Sequence, residues 1–284
     1  MELTLSVDER IEVVPAHAWT PWFSVFGSKG GFDSLAEAFG DMLSRIHAVE
    51  TGLSSDPDMN WRVPELDGLT IVSYSDAHSL ERMGRELTVF EGKPSYDGFR
   101  EALRRQQVAY TVEFYPEEGK YQFDGHREHG VTQAPGVSIA NGGRCPVCGH
   151  QLTLGVAYKN ELLAKRPHRA IAGGDGMLRD PEGKRPPFAR LVPLDEILAQ
   201  ALGKGRATRA VRDAYDALVR ELGGELAVLR VAALGDIECL AGGRIADGVR
   251  RVRAGEVDIS PGYDGVYGTV RIWPGNTATA RRSA

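Results

Sequence analysis

Hydrophobic positions between residues 11 and 115 follow the periods of helices and strands in turn. Apolar residues recur every three or four positions over 33–47 and 95–105, which is the spacing of amphipathic helices. Because strand-like and helix-like segments alternate, the pattern favours a parallel α/β arrangement. The predicted strands cover 11–17, 48–53, 69–74 and 108–114.

The rest of the chain has a different character. Residues 116–158 combine turn-forming Gly and Pro with His and Cys, whereas 193–255 show mainly helical periodicity. A hairpin is predicted over 263–273, around an Asp-Gly pair. The pattern therefore divides the chain into an α/β segment over 1–115, a Cys- and His-containing segment over 116–158 and a mainly helical region over 159–284.

Charge and composition narrow the class of protein. The 284 residues include 34 Lys and Arg against 39 Asp and Glu, and this net charge of −5 argues against a general coat for polyanions. No apolar run approaches the roughly 20 residues of a membrane span. Residues 1–10 show no signal-peptide pattern, and three cysteines, an odd number, fit a reducing compartment. We expect a cytoplasmic protein without a membrane partner.

Four metal-ligating side chains form two closely spaced pairs, His126-x2-His129 and Cys145-x2-Cys148. Two such pairs allow two tight turns to offer two ligands each, which gives a closed tetrahedral site for structural zinc. His150 is an alternative ligand. The other interpretation is that the cysteines are buried apolar residues and the histidines are solvated.

A second group of chemically capable residues follows the predicted strands. Asp76 and His78 come directly after the 69–74 run, His17 ends the first strand and Glu50 lies in the second. Such residues can hold Zn, Mn or Mg for hydrolysis, and we predict them as catalytic or metal-binding groups. The alternative is that Asp76 caps a turn and His78 lies on the surface. A Ser-His-Asp triad is disfavoured because no G-x-S-x-G motif is present.

Two further features suit nucleic acid. Lys204, Arg206 and Arg209 precede or begin a predicted helix, where basic side chains and free amides can contact a phosphate backbone. Basic helix starts are also common as solvated features. Aromatic residues near His17 can stack on a base, although a core or lid contact is the more frequent role. They are Trp19, Trp22, Phe23, Phe26 and Trp61.

The order of several sequence blocks resembles endonuclease Q and its bacterial relatives, within the polymerase-and-histidinol-phosphatase (PHP) superfamily. The blocks run from about residue 11 to 273, and together they are more specific than any single motif. They are Pro15-Ala16-His17-Ala18-Trp19-Thr20-Pro21-Trp22, Glu50-Thr51-Gly52-Leu53-Ser54-Ser55-Asp56, Ser75-Asp76-Ala77-His78-Ser79, Glu118-Gly119-Lys120-Tyr121, Gly125-His126-Arg127, Cys145-Pro146-Val147-Cys148-Gly149 and Pro261-Gly262-Tyr263-Asp264-Gly265.

The resemblance implies a distorted α/β barrel with a metal-dependent phosphodiesterase site, and residues 1–115 would be the C-terminal part of this barrel. It also implies an inserted zinc-binding domain over 116–158 and a mainly helical, DNA-binding C-terminal region over 159–284. Enzymes similar to this chain nick DNA on the 5′ side of a deaminated base such as uracil or hypoxanthine. By motif, His17, Asp76 and His78 would be metal ligands or catalytic groups, and Glu50 lies in a matching block. A metal-activated water would attack the phosphodiester, with the damaged base turned out of the stack.

Two features depart from the family pattern. The family begins with a strand bearing His-x-His, and no such motif precedes His17 here. The chain is therefore expected to be a fragment, a split-gene partner or the product of a miscalled start. As a split-gene partner it would receive the missing barrel half from a separate chain. The family usually has Cys at the position of His129, so the zinc site is expected to be of the His2Cys2 type.

Three functions follow as expectations. The first is a metal-dependent DNA repair endonuclease, or its C-terminal portion, acting on DNA that contains deaminated bases. The second is a zinc-containing DNA-binding module without catalysis. The third is a PHP-type phosphoesterase that hydrolyses small phosphomonoesters and ignores DNA.

Overall fold

A computed structural model describes residues 1–274 of the chain; the C-terminal segment 275–284, predicted as part of the helical region, lies outside the described residues. The chain divides into two compact units. The first contains Met1–Ile171, Arg179–Phe188 and Ser260–Thr269. The second contains Ala172–Leu178, Ala189–Ile259 and, among the described residues, 270–274.

The described residues form a mixed α/β structure, which confirms the predicted class at this level. The helices are α1 Glu2–Val7, α2 Leu35–Phe39, α3 Pro57–Trp61, α4 Tyr96–Arg105, α5 Pro135–Ala140, α6 Val156–Leu163, α7 Leu194–Leu202, α8 Arg209–Leu222, α9 Glu225–Arg230, α10 Leu234–Ala241 and α11 Gly243–Arg253. The strands are β1 Ala48–Glu50, β2 Thr70–Val72, β3 Leu87–Phe90, β4 Val108–Glu113, β5 Asp124–His126, β6 Val131–Gln133, β7 Ile171–Ala172, β8 Leu178–Arg179, β9 Phe188–Arg190, β10 Asp258–Ser260 and β11 Thr269–Arg271. Short 3-10 turns lie at Gly40–Arg45, Gly52–Ser54, Pro64–Leu66, Leu80–Arg82, Pro116–Glu118 and Arg127–His129.

Parallel pairing in the first unit includes β1 with β2 and two isolated bridges, Val13 with Ile46 and Phe123 with Tyr263. The register places Val49 opposite Ile71 and Glu50 opposite Val72. The predicted strand over 11–17 is reduced to the bridge between Val13 and Ile46. One reason is that Pro15 has no N–H to donate to a neighbouring strand. A second is that His17, two residues later, has a φ in the left-handed region, which ends an extended strand.

The core of the first unit surrounds β1. Val49 is fully buried against Trp19 and Phe26, whose rings stack with centroids 4.7 Å apart. Burial of each such apolar side chain contributes about 1.5–3 kcal/mol. Trp19 also donates its indole N–H to the buried Asn60 Oδ1 at 2.9 Å, so its polar atom is satisfied. This packing fixes the chain immediately after His17.

The predicted helix over 33–47 is shorter than expected. Its start is confirmed, because the Ser34 hydroxyl accepts from the Glu37 N–H and the Glu37 carboxylate accepts from the Asp33 N–H. Its end comes at Phe39, because Gly40 adopts a φ of 50° and the chain continues as a 3-10 turn. The apolar spacing in the sequence continues to residue 47, but the α-helix itself stops before Gly40.

The 108–114 strand is present as β4, but its partner differs from the prediction. β4 pairs antiparallel with β3, with Thr88 opposite Thr111. These two strands continue into a five-stranded sheet of order β3-β4-β9-β8-β7. The parallel arrangement expected for this strand was therefore wrong for its pairing with β3, a strand that was not recognised in the sequence.

The second unit is mainly helical, as predicted for 193–255. Helices α7 and α8 both end at glycines in the left-handed conformation, Gly203 and Gly223. The predicted hairpin over 263–273 is absent as such: Tyr263 and Val266 make one bridge, and β11 pairs with β10 instead. No helix within residues 1–274 is long and apolar enough to cross a membrane.

Candidate catalytic cleft and metal centre

An open cleft of about 510 Å³ in the first unit contains two of the four predicted catalytic residues. Its volume falls within the range of about 300–1,000 Å³ that is usual for small-molecule sites. The residues that matter most for its chemistry are His17, Trp22, Phe23, Asp76, Lys120 and Tyr121. We refer to this feature below as the cleft.

The backbone around His17 is tightly constrained. Its φ is 34°, in the left-handed region that non-glycine residues rarely adopt. The His17 N–H donates to Glu50 Oε2 at 2.6 Å, and its Nδ1 lies 3.2 Å from the Thr20 hydroxyl. A Cβ on Gly52 would come within 2.7 Å of the His17 Cβ, so only glycine fits beside the histidine. The Glu50 side chain thus holds the backbone of His17 in position through this hydrogen bond.

Asp76 and His78 are separated by their local geometry. Asp76 lines the cleft and also has a positive φ, 44°. His78 is exposed, is not among the residues that line the cleft, and its Nδ1 lies 2.8 Å from the Asp76 carbonyl oxygen. The structure therefore brings His17 and Asp76 to one cleft, and Glu50 next to it, but leaves His78 outside.

Buried carboxyl groups make the region beneath the cleft unusual. Burial raises the pKa of Glu50, although the hydrogen bond from the His17 N–H opposes this. Burial, with the Glu50 charge adding, raises the pKa of Tyr74 to about 12. Burial also raises the pKa of Glu113 to about 8, and that of Glu86 well above its usual range. Perturbed carboxyl groups of this kind cluster at functional sites.

The four predicted catalytic residues do not form a ligand group with one another among the described residues. Within residues 1–274, the structure contains one group of three or more His, Cys, Asp or Glu side chains that could hold an ion, and it is elsewhere. We therefore derive no step through a metal in the cleft.

That one group consists of the predicted zinc ligands, His126, His129, Cys145 and Cys148. Their ligand atoms all lie within 4.8 Å of one another. The two Nδ1 atoms are 3.1 Å apart, and the Sγ–Nδ1 distances are 3.4 Å from Cys148 to His126 and 3.7 Å from Cys145 to His129. A tetrahedral zinc with ordinary bond lengths separates its ligands by about 3.3–3.8 Å. The two Sγ–Nδ1 distances lie in this range and the Nδ1–Nδ1 distance is slightly shorter, so the cluster could hold a metal ion of this kind.

Local structure explains how the ligands come together. His126 ends β5 and His129 lies in the turn before β6, and the two strands pair antiparallel. The second pair flanks a turn in which the Gly149 N–H donates to the Cys145 carbonyl at 2.8 Å, with Gly149 at a φ of 75°. The alternative ligand His150 is not a member of the cluster among the described residues.

The thiol chemistry of the cluster suits metal binding. Burial opposes ionisation of Cys145, but the N–H groups of Cys148 and Val147 and the His126 ring together lower its pKa to about 6. A thiolate is the form of cysteine that binds a metal.

The basic residues predicted to contact DNA differ in their surroundings. Arg206 binds Asp195 and Glu196 at 2.5 Å each, so its charge is already neutralised. Arg209 pairs at 3.5 Å with the exposed Asp213, and Lys204 is exposed. The segment 193–256 as a whole contains ten basic and ten acidic residues, so it has no net charge.

The aromatic residues fall into two groups. Trp19, Phe26 and Trp61 are buried core residues, whereas Trp22 and Phe23 line the cleft. Lys120 and Tyr121 also line the cleft. They were not predicted as site residues, although they lie in one of the family blocks. The Tyr121 ring meets Trp22 edge-on at 4.9 Å, and the exposed Lys120 lies over Tyr267 at 4.6 Å.

Contacts between distant family blocks build this side of the cleft. The Gly265 N–H donates to the Lys120 carbonyl at 3.0 Å, and the Arg127 N–H donates to Asp264 Oδ2 at 2.8 Å. A Cβ on Gly125 would come within 2.3 Å of the Tyr263 ring. The blocks around residues 120, 126 and 264 therefore form one structure.

Comparison with known proteins gives consistent matches along most of the chain. Residues 193–256 match the family model of the MJ0043 C-terminal domain. The uncharacterized protein MJ0043 of Methanocaldococcus jannaschii is 28% identical over 270 residues, which cover 91% of this chain and 32% of the relative. The uncharacterized protein YqxK of Bacillus subtilis is 30% identical over 263 residues, which cover 91% of this chain and 60% of the relative.

Two solved structures are similar to this chain over most of its length. The crystal structure of the lesion-specific endonuclease PfuEndoQ from Pyrococcus furiosus matches with a TM-score of 0.78 and 30% identity over 92% of this chain. The chain is similar in sequence and in structure to endonuclease Q. A second endonuclease Q structure, in complex with a 27-mer duplex substrate with an abasic lesion at the active site, matches with a TM-score of 0.74 and 30% identity. The chain spans 62–63% of these two endonuclease Q chains. The resemblance found in the sequence blocks is thus confirmed.

Proposed function

We propose that this chain is a metal-dependent DNA repair endonuclease, or the C-terminal portion of one, that nicks the phosphodiester 5′ of deaminated bases such as uracil or hypoxanthine. The observation that carries the proposal is the match along 92% of the chain to a lesion-specific endonuclease. A relative bound to duplex DNA supports DNA as the partner. The 5′ polarity and the deaminated bases come from the family resemblance.

The cleft supplies groups suited to this reaction. His17 and Asp76 both line its wall and are residue types that act as proton acceptors in catalysis, and backbone contacts hold His17 in a fixed position. The exposed Lys120 at the rim carries a positive charge that suits a DNA phosphate. The aromatic side chains of Trp22, Phe23 and Tyr121 offer faces on which bases can stack.

The proposal includes two metal ions, one in the His and Cys cluster and one in the cleft. We propose zinc for the His2Cys2 cluster, where a fully coordinated ion has a structural role. A divalent ion in the cleft would, when bound, supply an activated water for hydrolysis. Metal dependence of nicking is therefore a prediction for the assay, with His17, Asp76, His78 and Glu50 as the groups to be tested.

The decisive experiment uses labelled duplexes that carry one uracil, one hypoxanthine or no lesion, with Mg²⁺ or Mn²⁺ and with EDTA. We expect a nick on the 5′ side of the lesion that EDTA abolishes. Asp76→Asn should remove nicking by a factor of about 100 or more, as loss of a catalytic group does. Asparagine suits the positive φ at this position, so the fold should survive. Asp41→Asn, an exposed change, is the matched control.

The proposal fails if the undamaged duplex is nicked equally well, or if Asp76→Asn nicks as fast as the unchanged chain. A second function, a zinc-containing DNA-binding module without catalysis, is supported by the cluster of His126, His129, Cys145 and Cys148. It predicts salt-sensitive DNA binding without nicking, and loss of binding on Cys145→Ser.

A further inference from the structure

Phe23 is an exposed aromatic residue beside the catalytic residues of the cleft. Its side chain is 96% exposed, which is more than for any other large hydrophobic residue among those described. It nevertheless lines the same cleft as His17 and Asp76. A hydrophobic side chain that covers nothing in its own fold, next to polar catalytic groups, has a free face for a ligand.

The loop holds Phe23 in this exposed position. Its φ is 57°, in the left-handed region, which is unusual for a bulky residue and marks strain of the kind found at functional sites. The flanking backbone is closed by three hydrogen bonds: Phe26 N–H to the Ala18 carbonyl at 2.8 Å, Lys29 N–H to Pro21 at 2.9 Å, and Phe32 N–H to Val25 at 2.7 Å.

Close packing within the loop also helps to hold Phe23 in its exposed position. A Cβ on Gly27 would come within 2.6 Å of the Pro21 carbonyl oxygen, and one on Gly31 within 2.2 Å of the Gly27 nitrogen. The preceding residue, Trp22, packs edge-on against Tyr121. Phe23 therefore projects from a compact, internally hydrogen-bonded loop.

We propose that Phe23 inserts into the DNA base stack and occupies the space left when the target nucleotide turns into the cleft. The inference rests on the proposed function. An apolar ring that enters a base step replaces the stacking lost on extrusion and keeps the duplex open. The neighbouring Lys120, with its positive charge at the cleft, suits the phosphate backbone of the same strand. The predicted ligand of Phe23 is therefore the pair of bases that flank the lesion.

The test measures base unstacking by the full chain. A duplex carries 2-aminopurine next to a uracil, and its fluorescence is followed by stopped flow before nicking begins. Phe23→Ala should lower both the fluorescence rise and the affinity for the duplex, the affinity by about tenfold, as loss of a base-stacking aromatic does. Phe23→Trp should restore both. Phe32→Ala, which changes an exposed phenylalanine of the same loop outside the cleft, should have little effect.

A single-stranded oligonucleotide with the same uracil separates insertion from other roles. Its bases need no extrusion, so Phe23→Ala should bind it as well as the unchanged chain does. If Phe23→Ala loses affinity equally for single-stranded and duplex DNA, or loses none for the duplex, the inference is overturned while the proposed function stays intact. Nicking by the unchanged chain without a fluorescence rise would overturn the inference alone, whereas the absence of both the rise and the nick would contradict the proposed function as well. The melting temperature of Phe23→Ala should match that of the unchanged chain, because the side chain is exposed.

Discussion

At the scale of single residues, Glu113 shows how strongly burial can alter a carboxyl group. Its side chain is fully buried at the end of β4 and accepts hydrogen bonds from Thr51 and Ser73 at 3.0 Å each, and from Thr111. Burial, with the Asp56 charge adding, still raises its pKa to about 8. The neutral carboxyl is therefore the form that the native fold stabilises near neutral pH.

The first prediction concerns the pH dependence of stability. The unfolded carboxyl has an ordinary pKa of 4.5, so the stabilising effect of the neutral form is complete below this pH and is lost as the pH rises through about 8. Each proton held only by the folded state steepens the fall in unfolding free energy by about 1.4 kcal/mol per pH unit. Glu113→Gln, which stays neutral, should flatten this fall between about pH 5 and 8.

Urea unfolding at several pH values provides the measurement, with the exposed change Glu9→Gln as the control. The same slope in Glu113→Gln and in the unchanged chain would show that this carboxyl is ionised in the native fold.

At the scale of elements, the β5–β6 hairpin and the turn between Cys145 and Cys148 depend on each other through the metal cluster. Both strands are short, with three residues each. Cys145→Ser should abolish binding of about one zinc per chain and lower the unfolding free energy by on the order of several kcal/mol, since binding energy at a structural zinc site is folding energy.

Metal analysis after gel filtration, together with thermal unfolding, tests this prediction. Cys239→Ser is the matched control, because Cys239 is exposed and outside the cluster. Zinc bound equally by Cys145→Ser would remove this residue from the site.

The segment before α8 gives another prediction at this scale. Arg206 already binds Asp195 and Glu196, whereas Lys204 is exposed. If Lys204 contacts a DNA phosphate, Lys204→Ala should reduce the slope of log affinity against log salt by about 1. Arg206→Ala should leave that slope unchanged. Fluorescence anisotropy across a salt series measures both, and a larger slope change for Arg206→Ala would reverse the assignment.

At the scale of the whole molecule, the net charge limits how the chain meets DNA. With 34 basic against 39 acidic residues, long-range attraction to a polyanion is absent, and affinity must come from local contacts. Phosphate contacts are shared by damaged and undamaged duplexes and weaken with salt, whereas contacts to an extruded base depend on salt much less.

We therefore expect preference for a uracil-containing duplex over an undamaged one to persist or increase from low to physiological salt. Competition binding at the two salt concentrations measures it. A preference that vanishes at physiological salt would mean that phosphate contacts alone determine binding.

Several features were predictable because they depend on neighbours in the chain. The four cluster ligands lie at short spacing in two turns, and the structure brings them together as the spacing indicated. Ser34 and Ser95 cap helices through their own hydroxyls, and Gly203 and Gly223 end α7 and α8. Capping and helix termination are settled within a few residues, so the sequence contains the signal.

The composition of the cleft was decided by the tertiary structure. Lys120 and Tyr121 reach it through contacts with residues more than a hundred positions away, such as Gly265 and Tyr267. The exclusion of His78 follows from the turn at Asp76, and the buried state of Glu113 follows from packing around β4. Sequence by itself determined which residue types were available and where local turns could form. Only the folded chain determined which of them share a cavity, because burial and long-range contacts depend on elements that are far apart in the sequence.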